Sequence, residues 1–526
     1  MADEPTPKRT YQRFKRVVRL SVALLCAAAM AAYVAWGAWE SSEVQRQVDR
    51  AHAAGEAITF GDVYLANLPA DDNAAYHLAE ALNAWPVVED DKQIDQTLWF
   101  TNRAVEADPV ADSSGYLWAS RASLTSLERA GKASGCNWNA VIRRPLMQAL
   151  DMDAGSDLRR LAWLADDAAR RAHGLGNDRL AMRYLLAMTT IARATDGLPP
   201  RMMTHVDHVS IITLQADLVE RLLPELHIDD QAPNAARPSQ IRMLIAQLTD
   251  EEDARKRHHR GWVGERWIAY DAAMSMIEGY RPREPGEPDF KAKVAAFPLR
   301  PVLLSDLRQT MDVMGRVVDA SRTTDSYPAF VAAAGRLPTW SELKMWRRPS
   351  SALTLPVIGE HMPYPFFADG ERRMAAAALA IALYQHDHNG SRPDALAALT
   401  PDYLAAVPVD PFASDGRAIA YRPGESAMVA GGADVASKSR TRPAALYSVG
   451  LNGIDDGGSH PTDHASKLAM EQAVGSSGEE HTIAAADSAP TGADQTFLLD
   501  AVSHTLTPVT ATAAVDPAGE RTNVSR

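Results

Sequence analysis

The sequence predicts a mainly α protein with a single N-terminal transmembrane helix, a large exported α-helical domain and a small C-terminal α+β module with an antiparallel sheet. Three observations lead to this prediction. One N-terminal run carries no charge, apolar residues then recur at helical spacing, and short apolar runs later alternate with Gly, Asp and Pro. The composition of the 526 residues, 23% charged and 46% hydrophobic, excludes collagen-like, coiled-coil and wholly disordered chains. The net charge of −13 argues against a nucleic-acid partner, which needs clustered cations.

The N-terminal region predicts a membrane anchor. Residues 20–39 run without a charge from Leu20 to Trp39, and as a helix they span about 30 Å, the thickness of a hydrocarbon core. Trp36 and Trp39 lie at the far end, where interfacial aromatic residues are common. Cations precede the run, so residues 1–19 are expected to form a basic cytoplasmic stub with the bulk of the chain exported, periplasmic or otherwise extracytoplasmic. The six cations are Lys8, Arg9, Arg13, Lys15, Arg16 and Arg19.

Two further features bear on this region. The alternative to an anchor is a cleaved signal peptide, for which Ala29-Met30-Ala31 is the candidate cleavage site. The anchor is favoured because the apolar run is long for a signal peptide. Cys26 lies in the run and Cys136 lies in the exported part, so no disulfide is expected between them.

Residues 40–360 are predicted to form the exported helical domain. Its clearest unit is an αα-hairpin over Asp157–Thr195, in which Gly174–Asp178 form a turn with an Asx cap for the second helix. Pro238–Gly279 is predicted to be one long helix or a broken pair, interrupted at its two glycines. Leu303–Ala320 is predicted to be another helix. The remaining predicted segments are Asn73–Trp85, Gln96–Ala107 and Leu117–Lys132.

Residues 365–458 are predicted to be the α+β module, and residues 459–526 a mostly disordered tail. The module begins with an Ala-rich helix over Glu371–His388. Short apolar runs follow at Ala418–Tyr421, Met428–Val429 and Leu446–Val449 and predict a small antiparallel sheet. The tail has one clear apolar patch, Thr496–Ala501, and one candidate short helix, Ser466–Ala473.

The module resembles a known family. The motif Val407–Phe412 (VPVDPF) follows the Ala-rich helix, and Tyr447–Gly458 (YSVGLNGIDDGG) closes the segment. In order and spacing, residues 370–458 resemble the C-terminal half of type II secretion major pseudopilins, in which a helix pairs with a small sheet. Pro408 and Pro411 independently require an extended turn in the first motif. The rest of the chain resembles no family that we recognise.

The resemblance implies a calcium site in the Gly/Asp-rich loop. The side-chain oxygens it implies are those of Ser448, Asn452, Asp455 and Asp456, with water and backbone carbonyls completing the six to eight oxygens that calcium prefers. The alternative is a plain Gly/Asp turn that closes a hairpin. Assembly into a pilus is not expected, because the apolar run lacks the leader and early Glu of pseudopilins. The module is instead interpreted as borrowed, on a fixed anchor.

Other candidate sites are histidine clusters. His205 and His208 lie three residues apart on one helical face and form a candidate transition-metal pair, with Asp207 between them. His258-His259 lies in a basic run that is predicted to be solvated, with a pH-sensitive patch or a patch for an anionic partner as the alternative. His386 and His388, with Asp387, suit either the capping of a helix C-terminus or metal binding. The motifs HExxH, GxSxG, Walker A and CxxC do not occur. The aromatic set Trp262, Trp267 and Tyr270 is interpreted as core.

Together these features predict a single-pass bacterial envelope protein whose helical domain has a non-enzymatic binding or scaffolding role, with a protein partner in the envelope and a connection to secretion. The alternative is an exported metal-dependent hydrolase with its site in the helical domain, at His205, Asp207 and His208. No catalytic residue can be assigned from the sequence.

Overall fold

A computed structural model describes residues 7–59, 68–85, 113–138, 153–280, 289–338, 342–343, 348–424, 444–455, 457 and 495–499. The predicted segments Gln96–Ala107, Met428–Val429 and Ser466–Ala473 lie outside these residues. The described helices are α1 Pro7–Ala53, α2 Ala74–Ala84, α3 Ser113–Ala119, α4 Arg121–Ala130, α5 Asp153–Gly174, α6 Asp178–Arg193, α7 Met202–Leu222, α8 Pro238–Leu248, α9 Glu251–Glu278, α10 Phe290–Ala296, α11 Arg300–Thr323, α12 Tyr327–Ala334, α13 Pro349–His361 and α14 Tyr364–Asp387. The strands are β1 Ala420–Arg422, β2 Ala445–Ser448 and β3 Gln495–Leu498.

Helix α1 is both the candidate anchor and a part of the folded body. Its most apolar stretch is unburied and is long and apolar enough to cross a membrane. Beyond that stretch the same helix continues without a break, and Val44, Val48 and Ala51 are buried against α9 and α11. The mostly helical architecture and the candidate N-terminal membrane helix agree with the sequence prediction.

The predicted αα-hairpin is confirmed. Helices α5 and α6 pack along each other, with Gly176 at a φ of 69° in the turn between them. The Asn177 side chain accepts a hydrogen bond from the backbone N–H of Leu180 at 3.1 Å, which is an N-cap. The alanines on the facing sides, such as Ala165 and Ala181, are fully buried and allow the close approach of the two helices.

The segment Pro238–Gly279 is a broken pair, but the break does not lie at its glycines. Helix α8 ends before Thr249, Asp250 caps α9, and α9 then runs through Gly261 and Gly264. A Cβ at Gly264 would clash with the backbone carbonyl group of Pro200. The glycine is therefore required by a close contact with the chain before α7, which a single sequence does not reveal.

The C-terminal region shares its core with the helical region. Helix α14 packs against α7 and α8, and one cluster of buried side chains includes Leu185, Leu379, Leu446 and Phe497. The three strands form an antiparallel sheet in the order β1-β2-β3, in agreement with the small antiparallel sheet that the sequence predicts. Strand β3, however, comes from the region that the sequence analysis assigned to the tail. The apolar patch that begins at Thr496 pairs with β2, and Phe497 is fully buried. The rest of the tail assignment, outside residues 495–499, lies beyond the described residues.

Candidate functional site: a cavity above three buried histidines

A cavity of about 50 Å³ opens between helices α6, α7, α8, α9 and α14. This volume has room for a few water molecules or a small polar group. Its floor contains three imidazoles, and charged side chains surround its rim. Its charged and imidazole-bearing lining residues are His205, His208, His258, Arg193, Asp250, Asp253, Arg257, Asp369 and Arg372; apolar residues such as Val209, Ile212 and Leu248 supply much of the remaining wall.

The three imidazoles form a stack across two helices. The ring centroids of His205 and His208, both on α7, are 6.2 Å apart, and those of His205 and His258, on α9, are 5.7 Å apart. Each neighbouring pair has an interplanar angle of 11°. Trp262, Phe330 and Phe366 pack against His258 on the side toward the core. The stack is therefore a boundary between the cavity and an aromatic core.

Burial makes these histidines neutral at pH 7. It lowers the pKa values of His208 and His258 to about 4, and it lowers the pKa of His205 well below the ordinary value for histidine. The hydrogen bonds then define the tautomers. His208 Nδ1 lies 2.9 Å from the carbonyl oxygen of Ala192 and must donate, while His258 Nε2 accepts from Trp262 Nε1–H at 2.6 Å. The neutral His208 therefore carries its lone pair on Nε2.

Ion pairs hold the rim of the cavity. Arg257 makes a bidentate contact with Asp196, in which Nη2 donates to Oδ2 at 2.8 Å and Nε donates to Oδ1 at 3.1 Å, and it also pairs with Asp253. Arg372, only 6% exposed, binds Glu251 at 2.6 Å and Asp369 at 2.7 Å. The rim therefore offers arginine and carboxylate groups that are already positioned by one another.

The Glu251 carboxylate, which pairs with Arg372, stays ionised because its hydrogen bonds lower its pKa more than burial raises it. Although burial opposes ionisation of Glu251, hydrogen bonds from Arg373 and Arg372 lower its pKa to about 2. Glu251 is the first residue of α9, and both arginines come from α14. This carboxylate therefore ties the two helices together on one side of the cavity.

One ring nitrogen beside the cavity has no hydrogen-bond partner among the described residues. It is Nε2 of His205, a residue that is 8% exposed. A buried ring nitrogen without a partner costs free energy, so a water molecule or a small ligand in the cavity would stabilise it. The arrangement suits hydrogen bonding to a small polar molecule between neutral imidazoles and paired charges.

The structure separates the members of the candidate set His205, Asp207 and His208. Asp207 is buried, but its carboxylate pairs with Arg159 of α5, whereas the two rings stack toward α9. Burial raises the pKa of Asp207, and Arg159 and Arg201 oppose that rise. Among the described residues, no three His, Cys, Asp or Glu side chains are grouped so that they could hold a metal ion. The two histidines are thus neighbours, without Asp207 as a third member.

His258 is the site residue that the sequence interpretation missed. The prediction that the basic run around it is solvated is wrong for His258, which is 7% exposed, and for His259, which is half-buried beside Ser321. Arg255 and Lys256 in the same run are exposed. Helix α9 lies between α7 and α11, so both of its flanks are covered. The spacing of His258 and Trp262 by four residues was the available signal, since it places them on one face. The interpretation of Trp262 and Trp267 as core is confirmed.

The residues of the candidate calcium loop have other partners. Ser448 is buried and its Oγ donates to Asp410 at 2.6 Å. Asn452 Oδ1 accepts from the N–H of Ile454, and Asp455 Oδ1 accepts from the N–H of Gly457, each at 2.9 Å. Asp456 lies outside the described residues. In this arrangement the described side-chain oxygens of the loop therefore do not form a calcium site.

The residues at the end of α14 make local contacts within the fold, and the two cysteines are not bonded to each other. His388 stacks on Tyr384 with centroids 3.8 Å apart, and its Nδ1 contacts the Tyr384 carbonyl oxygen at 2.8 Å, at the end of α14. Asp387 accepts a hydrogen bond from Tyr403. Cys26 and Cys136 are free thiols.

Comparison with protein-family models, with curated proteins and with solved structures finds no match for this chain.

Proposed function

We propose that this protein is a single-pass envelope protein whose exported helical body, 40–360, binds a protein partner in a non-enzymatic scaffolding role, with the pseudopilin-like module at 365–458 connecting it to secretion. The protein is also anchored in the membrane by its single transmembrane helix. The observation that carries the proposal is the continuity of α1, which joins an unburied apolar stretch to a buried segment of the body in one helix.

The contacts near the end of the apolar run support a fixed geometry. Glu40 is 2% exposed and accepts from Arg308 Nε at 2.8 Å and from Trp36 Nε1 at 3.0 Å. Gln47 donates to the carbonyl oxygen of Arg308. A body attached through a partly buried ion pair and a continuous helix would be held at one orientation to the membrane, which is useful for presenting a binding surface.

The order of α14, the extended turn and the antiparallel sheet supports the pseudopilin-like part of the proposal. Asp410, in the VPVDPF motif, connects the turn to the end of β2 through Ser448 and Val449. The two motifs that carry the resemblance are thus in direct contact.

We expect photo-cross-linking in intact cells to join this protein to an envelope or secretion component. The cross-linking amino acid is placed at Tyr76 or Trp118, which are 58% and 68% exposed, because exposed aromatic residues are enriched at protein interfaces. Lys256, an exposed charged position, is the control site. Absence of envelope adducts from both aromatic positions would contradict the proposal.

The second candidate function is an exported metal-dependent hydrolase that uses His205 and His208. The observation in its favour is the His208 ring, whose Nδ1–H is oriented by a backbone carbonyl while Nε2 keeps its lone pair. Histidine ligands of metals are commonly oriented in this way. The candidate requires further ligands beyond these two rings.

Equilibrium dialysis against calcium and zinc, followed by mass spectrometry of the full-length protein, tests both metal hypotheses. We expect zinc content to be the same in the wild type and in a His205→Ala/His208→Ala variant; a loss in the variant would establish the metal site.

Calcium bound through the loop requires Asp455 to exchange Arg417, 3.5 Å away, for the ion. Calcium that is retained by the wild type and lost in Asp455→Asn would support that site, and its absence from the wild type would exclude it.

A further inference from the structure

A second apolar surface lies beside the anchor, on the segment 290–299. Phe290, Val294 and Phe297 are 77%, 54% and 58% exposed, and Leu299 follows at 56%. The first three recur at i, i+4 and i+7, so they share one face of α10 and its 3₁₀ extension. A contiguous exposed apolar face of this kind marks a contact with a partner or a membrane.

The contacts of this segment favour a membrane over a protein partner. Tyr33, within the apolar run of α1, donates a hydrogen bond from its hydroxyl to the carbonyl oxygen of Phe297, and the two rings lie 6.2 Å apart. A Cβ at Gly37 would stand 3.4 Å from the ring of Pro301, so the backbone of α1 passes close to the start of α11. The apolar face is therefore attached to the membrane-spanning part of α1.

The level of this attachment follows from helix geometry. Tyr33 precedes Trp39, the end of the apolar run, by six residues, which correspond to about 9 Å along the helix. If Leu20–Trp39 fills the hydrocarbon core, Phe297 lies below its outer boundary. Interfacial helices bury their apolar faces about 5–10 Å into the boundary between headgroups and acyl chains, which agrees with this depth.

The charges of the segment also suit a lipid surface. Lys291 and Lys293 are exposed and lie on either side of the apolar face, and Arg300 follows at the start of α11. Lysine side chains in such positions extend to the headgroup layer while their stems cover apolar surface. We propose that residues 290–299 form an interfacial helix embedded in the membrane leaflet that adjoins the folded body. The body then contacts the lipid bilayer at a second place besides α1. This inference depends on the proposed anchor.

Site-specific labelling of the full-length protein in phosphatidylcholine–phosphatidylglycerol vesicles tests the inference. A nitrobenzoxadiazole dye is attached to one cysteine at a time: native Cys26 in a Cys136→Ser variant, or Val294→Cys and Met243→Cys in a variant that lacks both native cysteines. Met243, on α8, is 55% exposed, close to the 54% of Val294, and is the matched control. We expect iodide quenching constants at Cys26 and position 294 to be several-fold smaller than at position 243.

The three positions distinguish the possible failures. Quenching at position 294 as strong as at position 243, with Cys26 protected, would overturn the interfacial helix and leave the anchor intact. Strong quenching at Cys26 as well would overturn the anchor and the interfacial helix together. Because Val294 is exposed, its substitution should not disturb the core, and retention of the wild-type melting temperature in detergent verifies this.

Discussion

Acidification from pH 7 to pH 4 is expected to destabilise the folded protein by about 3 kcal/mol for each of His208 and His258, since one pKa unit corresponds to about 1.4 kcal/mol. Their pKa values are lowered to about 4 in the folded protein, against about 6.5 in an unfolded chain. Between these pH values the unfolded chain binds more protons than the folded one. Stability is therefore complete above pH 6.5 and is lost as the pH falls toward 4.

The surroundings of the rings explain why protonation is unfavourable. Arg257 lies beside His208 and repels a second positive charge, although Asp196 and Asp253 partly offset it. A proton on His258 Nε2 would also replace the hydrogen bond that this atom accepts from Trp262. Desolvation is the largest cause of both shifts; the His258 ring is buried and the His208 ring is partly buried.

Urea unfolding of the full-length protein in detergent, at several pH values between 7 and 4, measures this effect. The variant His258→Gln keeps an acceptor for the Trp262 N–H and has no titrating ring, so its loss of stability on acidification should be smaller by about 3 kcal/mol. The control is His52→Gln, at an exposed position near the end of α1, which should behave as the wild type. A wild-type stability that does not change between pH 6.5 and 4 would contradict the buried, neutral histidines.

The substitution Asp410→Ala is expected to destabilise the protein by about 3–5 kcal/mol, because it leaves several buried donors without an acceptor. The Asp410 side chain is 1% exposed and accepts from Ser448 Oγ at 2.6 Å and from the N–H groups of Phe412 and Val449, each at 2.9 Å. These bonds hold the extended turn against the end of β2. We expect a lower urea midpoint, with α14 and the sheet affected first in hydrogen exchange.

Two further variants make the Asp410 prediction specific. Asp415→Ala removes a carboxylate from the same loop, but that side chain is 66% exposed and should cost less than about 0.5 kcal/mol. Ser448→Ala removes one of the donors together with its bond and should have an intermediate effect. Equal stabilities of Asp410→Ala and Asp415→Ala would show that the buried carboxylate does not hold the module.

Local patterns predicted many of the helices and the pairing of one αα-hairpin, but not the packing of the helical domain as a whole. The 3–4 spacing of apolar residues located the αα-hairpin, and the Asx cap in the turn Gly174–Asp178 located the start of its second helix, because capping and helical periodicity are local properties. The prolines of the VPVDPF motif likewise required an extended turn. The break between α8 and α9 was misplaced, because glycine lowers helix propensity by only about 1 kcal/mol and tertiary contacts exceed that amount.

The candidate site could be predicted only in part. The pair His205 and His208 follows from spacing on one helix, but His258 joins it from a helix that begins more than 40 residues later. The basic run around His258 indicates solvent exposure when it is read alone. Only the packing of α9 between two neighbours reverses that interpretation, and burial depends on those neighbours rather than on the run itself.

The sequence by itself determined the helical class, the candidate membrane helix, the αα-hairpin and the two motifs near the C-terminus, since each depends on residues that are close together in the chain. Only the tertiary structure decided that Asp207 is separated from the histidines, that a strand from the C-terminal region completes the sheet, and that an exposed apolar face lies against Tyr33 of α1. These features join segments that are far apart in the chain, and their energies come from packing, desolvation and hydrogen bonds that exist only after the chain has folded.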